Sequence, residues 1–136
     1  MTPGRVIVAV LLSGFAASVT DWFFGGVLFH DKYLAYPEIW RRQAGDAGGE
    51  GKAIAWSVVL GFVTCGVSIL TAAAFHVHGY AWAMHLAMAI WLIAPLPLLI
   101  TNALFIKMHP LNVVAHALGW LVKLLLAAVA VGWLTR

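Results

Sequence analysis

Four long apolar runs, at about residues 6–29, 53–75, 80–106 and 111–134, alternate with short polar breaks along this chain. Each run supplies the ~20 residues that a helix rising 1.5 Å per residue needs to cross about 30 Å of hydrocarbon. The pattern predicts an all-α fold, an integral membrane four-helix up-and-down bundle that occupies residues 1–136 as a single transmembrane domain. The first run continues through Trp22 and Phe23 to Phe29, beyond the ~7–15 apolar residues of a secretory signal core, and is therefore read as a span. In the third run Pro95 and Pro97 remove two amide donors, which predicts a kink.

The long break between the first two runs has internal character. Pro37 precedes EIWRRQA (Glu38 to Ala44), in which Ile39 and Trp40 stand beside Arg41 and Arg42. This predicts a short amphipathic segment lying at the cytoplasmic interface. GDAGGEG (Gly45 to Gly51) reads as a flexible connection. It is no phosphate-binding loop, because the lysine that follows, Lys52, has no Ser or Thr after it. Tyr33, Tyr36, Trp40 and Trp56 are expected at that interface, and Tyr80, Trp82 and Trp133 at the opposite one.

Composition agrees with the pattern. Hydrophobic residues make up 63% and charged residues 10% of the chain, against about 45–50% and about 25% in soluble domains. Almost nothing remains outside the spans to build a nucleotide-binding fold or a peripheral catalytic module. The net charge of +3 comes from cations that flank the spans, so the expected partner is the lipid bilayer and not nucleic acid. Lys32, Arg41, Arg42, Lys52 and Lys107 fall on one side, and Arg5 and Arg136 on the other. That asymmetry predicts a cytoplasmic loop side with both termini outside, in a multi-pass protein of a bacterial inner (plasma) membrane. Cys65 is the single cysteine and lies within the second span, which excludes an intramolecular disulfide.

Candidate chemistry lies in the polar residues inside the spans. Asn112, His116, Gly119 and Lys123 are spaced by four, three and four, so they share one helix face. A lysine at mid-bilayer costs a few kcal/mol even on lenient insertion scales and needs a partner. Asp21 is the one acid within any run. It lies about 12 Å from the cytoplasmic end of its helix, Lys123 about 18 Å and His116 about 8 Å. Asp21 is thus expected between His116 and Lys123, with Asn102 near enough to join them. Such a group serves either as a relay for protons or ions, or a site for a small solute, or as a neutral pair that only fixes helix packing.

A second candidate is metal binding by His76, His78 and His85 around HVHGY (His76 to Tyr80). His85 and His116 lie about 20 Å apart along the bundle and cannot be axial partners of one haem; the cofactor, if any, stays unspecified. No nucleophile–base pair suggests an enzyme. Gly14, Ser18, Gly61, Cys65, Ser68 and Ala72 form small-residue packing seams, available to neighbouring spans or to a second copy.

The stretches DWFFGGVLFHDKYL (Asp21 to Leu34) and NALFIKMHPLNVVAHALGWLVKLLLAAVAVGWL (Asn102 to Leu134) resemble a family of small bacterial four-span membrane proteins catalogued as a domain of unknown function. The resemblance implies the architecture and assigns no activity or site residues. The expected function is therefore a small transport or permeation role centred on Asp21, His116 and Lys123, the alternative being a structural or accessory subunit. Four short helices enclose little volume, so a sizeable solute would require a homo-oligomer or a larger membrane complex.

Overall fold

The computed structural model describes residues 2–33, 36 and 47–136, and among these there are helices and no strands. The element order is α1 (Pro3–Trp22), a π-helical segment (Phe23–Leu28), α2 (His30–Tyr33), α3 (Ala47–Ala74), α4 (Gly79–Ile93), α5 (Pro95–Phe105) and α6 (Pro110–Leu134). Four stretches are long and apolar enough to cross a membrane: Pro3–Leu28, Gly51–Ala74, Gly79–Phe105 and Pro110–Leu134. They reproduce the expected runs to within three residues and make the chain a multi-pass membrane protein. The Glu38–Ala44 amphipathic segment, including Trp40, Arg41 and Arg42, and the side chain of Tyr33 lie outside the described residues.

The spans alternate in direction. At one end Arg5 donates to the Trp133 carbonyl at 3.0 Å and sits 4.7 Å over the Trp133 ring, while the Gly79 amide donates to Thr135 Oγ1 at 2.9 Å. Both termini and the turn between the second and third spans therefore share this termini end. At the other, the loop end, Asn112 Nδ2 donates to the Lys32 carbonyl at 3.0 Å and Lys107 Nζ lies 4.8 Å over the Tyr36 ring.

Helix boundaries follow local chemistry. Proline occupies the first turn of α1, α5 and α6, where its missing N–H would have had no intrahelical partner. Pro95 divides the third span at Ala94, whose φ of −121° and ψ of −70° are not helical, so the expected kink is a break between α4 and α5. α3 ends in a Schellman turn: the Val77 amide bonds the Ala72 carbonyl and the His76 amide the Ala73 carbonyl, with His76 at φ 53°. One expectation is corrected at the start of α3. The second half of the Gly45–Gly51 stretch, expected as flexible connection, is helical from Ala47 onward. Extending an established long helix costs far less than nucleating one, and this offsets the weak propensity of glycine.

α6 is the central helix, packing against α1, α3 and α4, whereas α3 and α4, consecutive in the chain, make little contact with each other. The buried positions of α6 explain its place: Ala115, Ala117, Gly119, Ala127, Ala128 and Gly132 let neighbouring backbones come close. A Cβ on Gly132 would run into the Tyr80 ring, and one on Gly14 into the Phe62 ring. The small-residue seam is used within the chain, with Gly14 against Phe62, Gly61 facing Ser18 Oγ and Gly66 against Val10.

Candidate functional site

Asp21 reaches the interior because α1 carries Ala9, Ser13, Ala17 and Asp21 at four-residue intervals. The first three of these are buried, and Ala17 is completely so. Asp21 ends this stripe in the last turn of α1, directly before the π-helical segment, whose Phe29 amide bonds the Phe24 carbonyl five residues back. π-helical turns are rare and recur at functional positions.

Lys123 stands midway along α6 and is 8% exposed. Its Nζ lies 2.7 Å from Asp21 Oδ2, a direct ion pair between the first and fourth spans. The other carboxylate oxygen fits beside Gly119, where an added Cβ would come within 3.1 Å of Oδ1. Gly119 thus provides the space that lets the carboxylate approach α6, one turn before the lysine it pairs with. Lys123 Nζ also lies 5.1 Å over the Trp120 ring, a cation–π contact on its own helix. Around the pair the second span adds Cys65, fully buried, whose Sγ lies 3.9 Å from the Lys123 carbonyl. The Ser13 side chain approaches the same thiol while donating to the Ala9 carbonyl at 2.7 Å. Three spans therefore meet at the ion pair. The two charges differ in their surroundings: the lysine side chain is 10% exposed and the aspartate side chain 25%.

Of the other expected members, Asn112 and Gly119 share the inward face with Lys123 and are buried, but His116 is exposed at the margin of that face. Asn112 is 4% exposed and holds the Lys32 carbonyl through Nδ2, which fastens α2 onto the first turn of α6. Its Oδ1 is buried with no hydrogen-bond partner among the described residues. Asn102 is half-buried near the end of α5, one turn before the Ile106 cap, whose amide its carbonyl accepts.

The expected histidine metal site is not assembled. Among the described residues no three His, Cys, Asp or Glu side chains converge on a point where a metal ion would sit. The reason is local geometry. His76 occupies the left-handed position of the α3 cap, His78 precedes α4 as its N-cap residue, and His85 turns back onto its own helix, with Nδ1 2.8 Å from the Ala81 carbonyl. Only His76 and His78 line a common surface hollow, together with Phe75, Val77 and Trp82.

Sequence reasoning located the pair but not its support. Ser13, Cys65 and Trp120 complete the site. The four-residue stripe of α1 is a sequence signal for Ser13, and the small-residue seam of α3 is one for Cys65. No protein-family model matches the chain, and neither a curated protein nor a solved structure matches it.

Proposed function

We propose that the chain conducts protons, or a small ion or solute moving with them, across a bacterial inner membrane through Asp21 and Lys123. In this reading the loop end faces the cytoplasm and both termini lie outside. The carrying observation is the contact ion pair deep within the spans, 2.7 Å long, with a buried ammonium and a carboxylate that remains a quarter exposed. Ionisable groups at such depth are costly and mark conduction pathways. Proton arrival at the accessible Asp21 neutralises the carboxylate and removes the partner that stabilises the Lys123 charge; proton departure restores the pair.

The second reading is a structural or accessory subunit, favoured by the way the pair ties α1 to α6 beside the Ser13 and Cys65 contacts. Proton flux into liposomes holding the purified protein, followed with a trapped pH dye, separates the two. Conduction is expected in the wild type and is lost in Asp21→Asn and in the double variant Asp21→Leu/Lys123→Leu, after folding of each is confirmed. Absence of flux in the folded wild type overturns the conduction reading.

A further inference from the structure

We infer that the Asp21–Lys123 pair exchanges with water from the loop end alone, through a hydrated crevice along α6 that passes Asn112 and His116. This rests on the pair being the working site, and it adds the direction and the residues of access. Three observations converge on it.

First, α3 stands off from the bundle at that end. All ten residues from Gly51 to Leu60 are exposed, whereas Gly61, Cys65, Ile69 and Ala72 are buried further along. A helix packed along one side would bury a residue every three or four positions, so this length has no close neighbour among the described residues. Second, His116 is exposed between the buried Asn112 and Gly119, although it lies in line with them and with Lys123. Third, Asn112 Oδ1 is buried and lacks a donor among the described residues. A buried acceptor without a protein partner commonly marks an ordered water.

These groups form a sequence of polar stations. Asn112 and His116 are separated by about 6 Å of helical rise, and His116 and Gly119, which adjoins Asp21, by about 4.5 Å. Side chains three and four positions apart on one helix face are neighbours, close enough to relay through one another or through a shared water. Toward the termini end no equivalent path exists among the described residues: beyond Lys123 the inward face of α6 is Leu124, Ala127, Ala128, Val131 and Leu134, all buried and apolar.

The test uses thiol reactivity, since a thiolate forms only where water reaches the sulfur. In a Cys65→Ala background, His116→Cys is exposed to a charged, membrane-impermeant methanethiosulfonate in right-side-out and inside-out vesicles. Lys107→Cys marks the loop side, Thr2→Cys the termini side, and Leu118→Cys a site on the apolar face of α6. His116→Cys is expected to react from the Lys107 side only, at least about ten times faster than Leu118→Cys. Trp120→Cys, one turn further in, gives a second reporter should the first variant fail to fold. No reaction from either side, reaction from the Thr2 side, or reaction from both sides each overturns the inference. Flux without labelling from the loop side refutes the crevice and leaves the conduction reading standing; labelling without flux does the reverse.

Discussion

The two halves of this bundle are built on different principles, and the ion pair lies at their boundary. On the termini side the interior is apolar and continuous: Ala9, Ala17, Cys65, Ile69, Ala72, Ala83, Ala87, Leu124, Ala127, Ala128 and Val131 belong to one core cluster. On the loop side, the π-helical segment buries nothing, α3 buries nothing from Gly51 to Leu60, and α5 buries only Pro95. Lipid chains are as apolar as leucine, so spans associate where small residues permit close packing. The termini half closes on such residues, with Gly14 against Phe62, Gly61 facing Ser18 and Gly66 against Val10. An ion pair at that boundary is anchored by the packed side, while its carboxylate stays a quarter exposed.

Five experiments bear on this contrast, the stability changes given from the largest expected effect to the smallest and read by denaturant or thermal unfolding in detergent. Asp21→Leu leaves the ammonium of Lys123 buried without its counter-ion and is expected to cost about 3–5 kcal/mol. Lys123→Leu should cost less, because the abandoned carboxylate is more exposed than the ammonium. The double replacement should recover most of the loss. Equal costs for the two single variants would show that the asymmetry between the charges has no energetic weight.

Next, Ile69→Ala removes one of the largest fully buried side chains and is expected to cost about 1–3 kcal/mol, mainly in lost packing, since lipid also solvates the unfolded helices. Ile54→Ala, fifteen residues earlier on the same helix and 58% exposed, should stay within about 0.5 kcal/mol. A comparable cost at both sites would erase the distinction between packed and open halves. Hydrogen exchange supplies an independent check, with amides from Gly51 to Leu60 exchanging faster than those from Gly61 to Ala74. Asn112→Leu, which loses the Lys32 link but also removes an unpaired buried acceptor, should shift stability by about 1 kcal/mol or less. The smallest change has the opposite sign. His76 holds a left-handed φ of 53° that glycine adopts without strain, so His76→Gly should be neutral or stabilising by up to about 1 kcal/mol.

Much of this architecture is legible in the sequence because a membrane simplifies the problem. Hydropathy sets the spans, Pro95 and Pro97 signal a kink in the third, and the cost of an isolated buried charge couples Asp21 to Lys123. Facing is harder. Spacing correctly puts His116 in line with Asn112 and Lys123, but whether a neighbour covers that line depends on where α3 diverges, and this is decided by residues on another helix. The same limit applies to the outer histidines: their proximity in sequence says nothing of the αL cap that takes His76 or the self-contact that holds His85. The π-helical turn is equally invisible, since FFGGVL (Phe23 to Leu28) has no residue that demands a five-residue hydrogen bond.

That turn makes the first span longer in sequence than in space. A π-helical turn accommodates one residue more than an α-turn over nearly the same rise, so the end of the segment at Leu28, from which the chain bends at Phe29 into α2, is rotated by about 100° from where an uninterrupted α-helix would carry it. The extra residue acts as a phase adjustment between two docking requirements on a single helix, with Asp21 set against Gly119 on one side of it and the Lys32 carbonyl set against Asn112 on the other. Deleting Gly25 would return the segment to α-helical phase, leaving the carboxylate in place and swinging the Lys32 carbonyl away from α6. The bundle would then keep its ion pair and lose the clasp at its mouth.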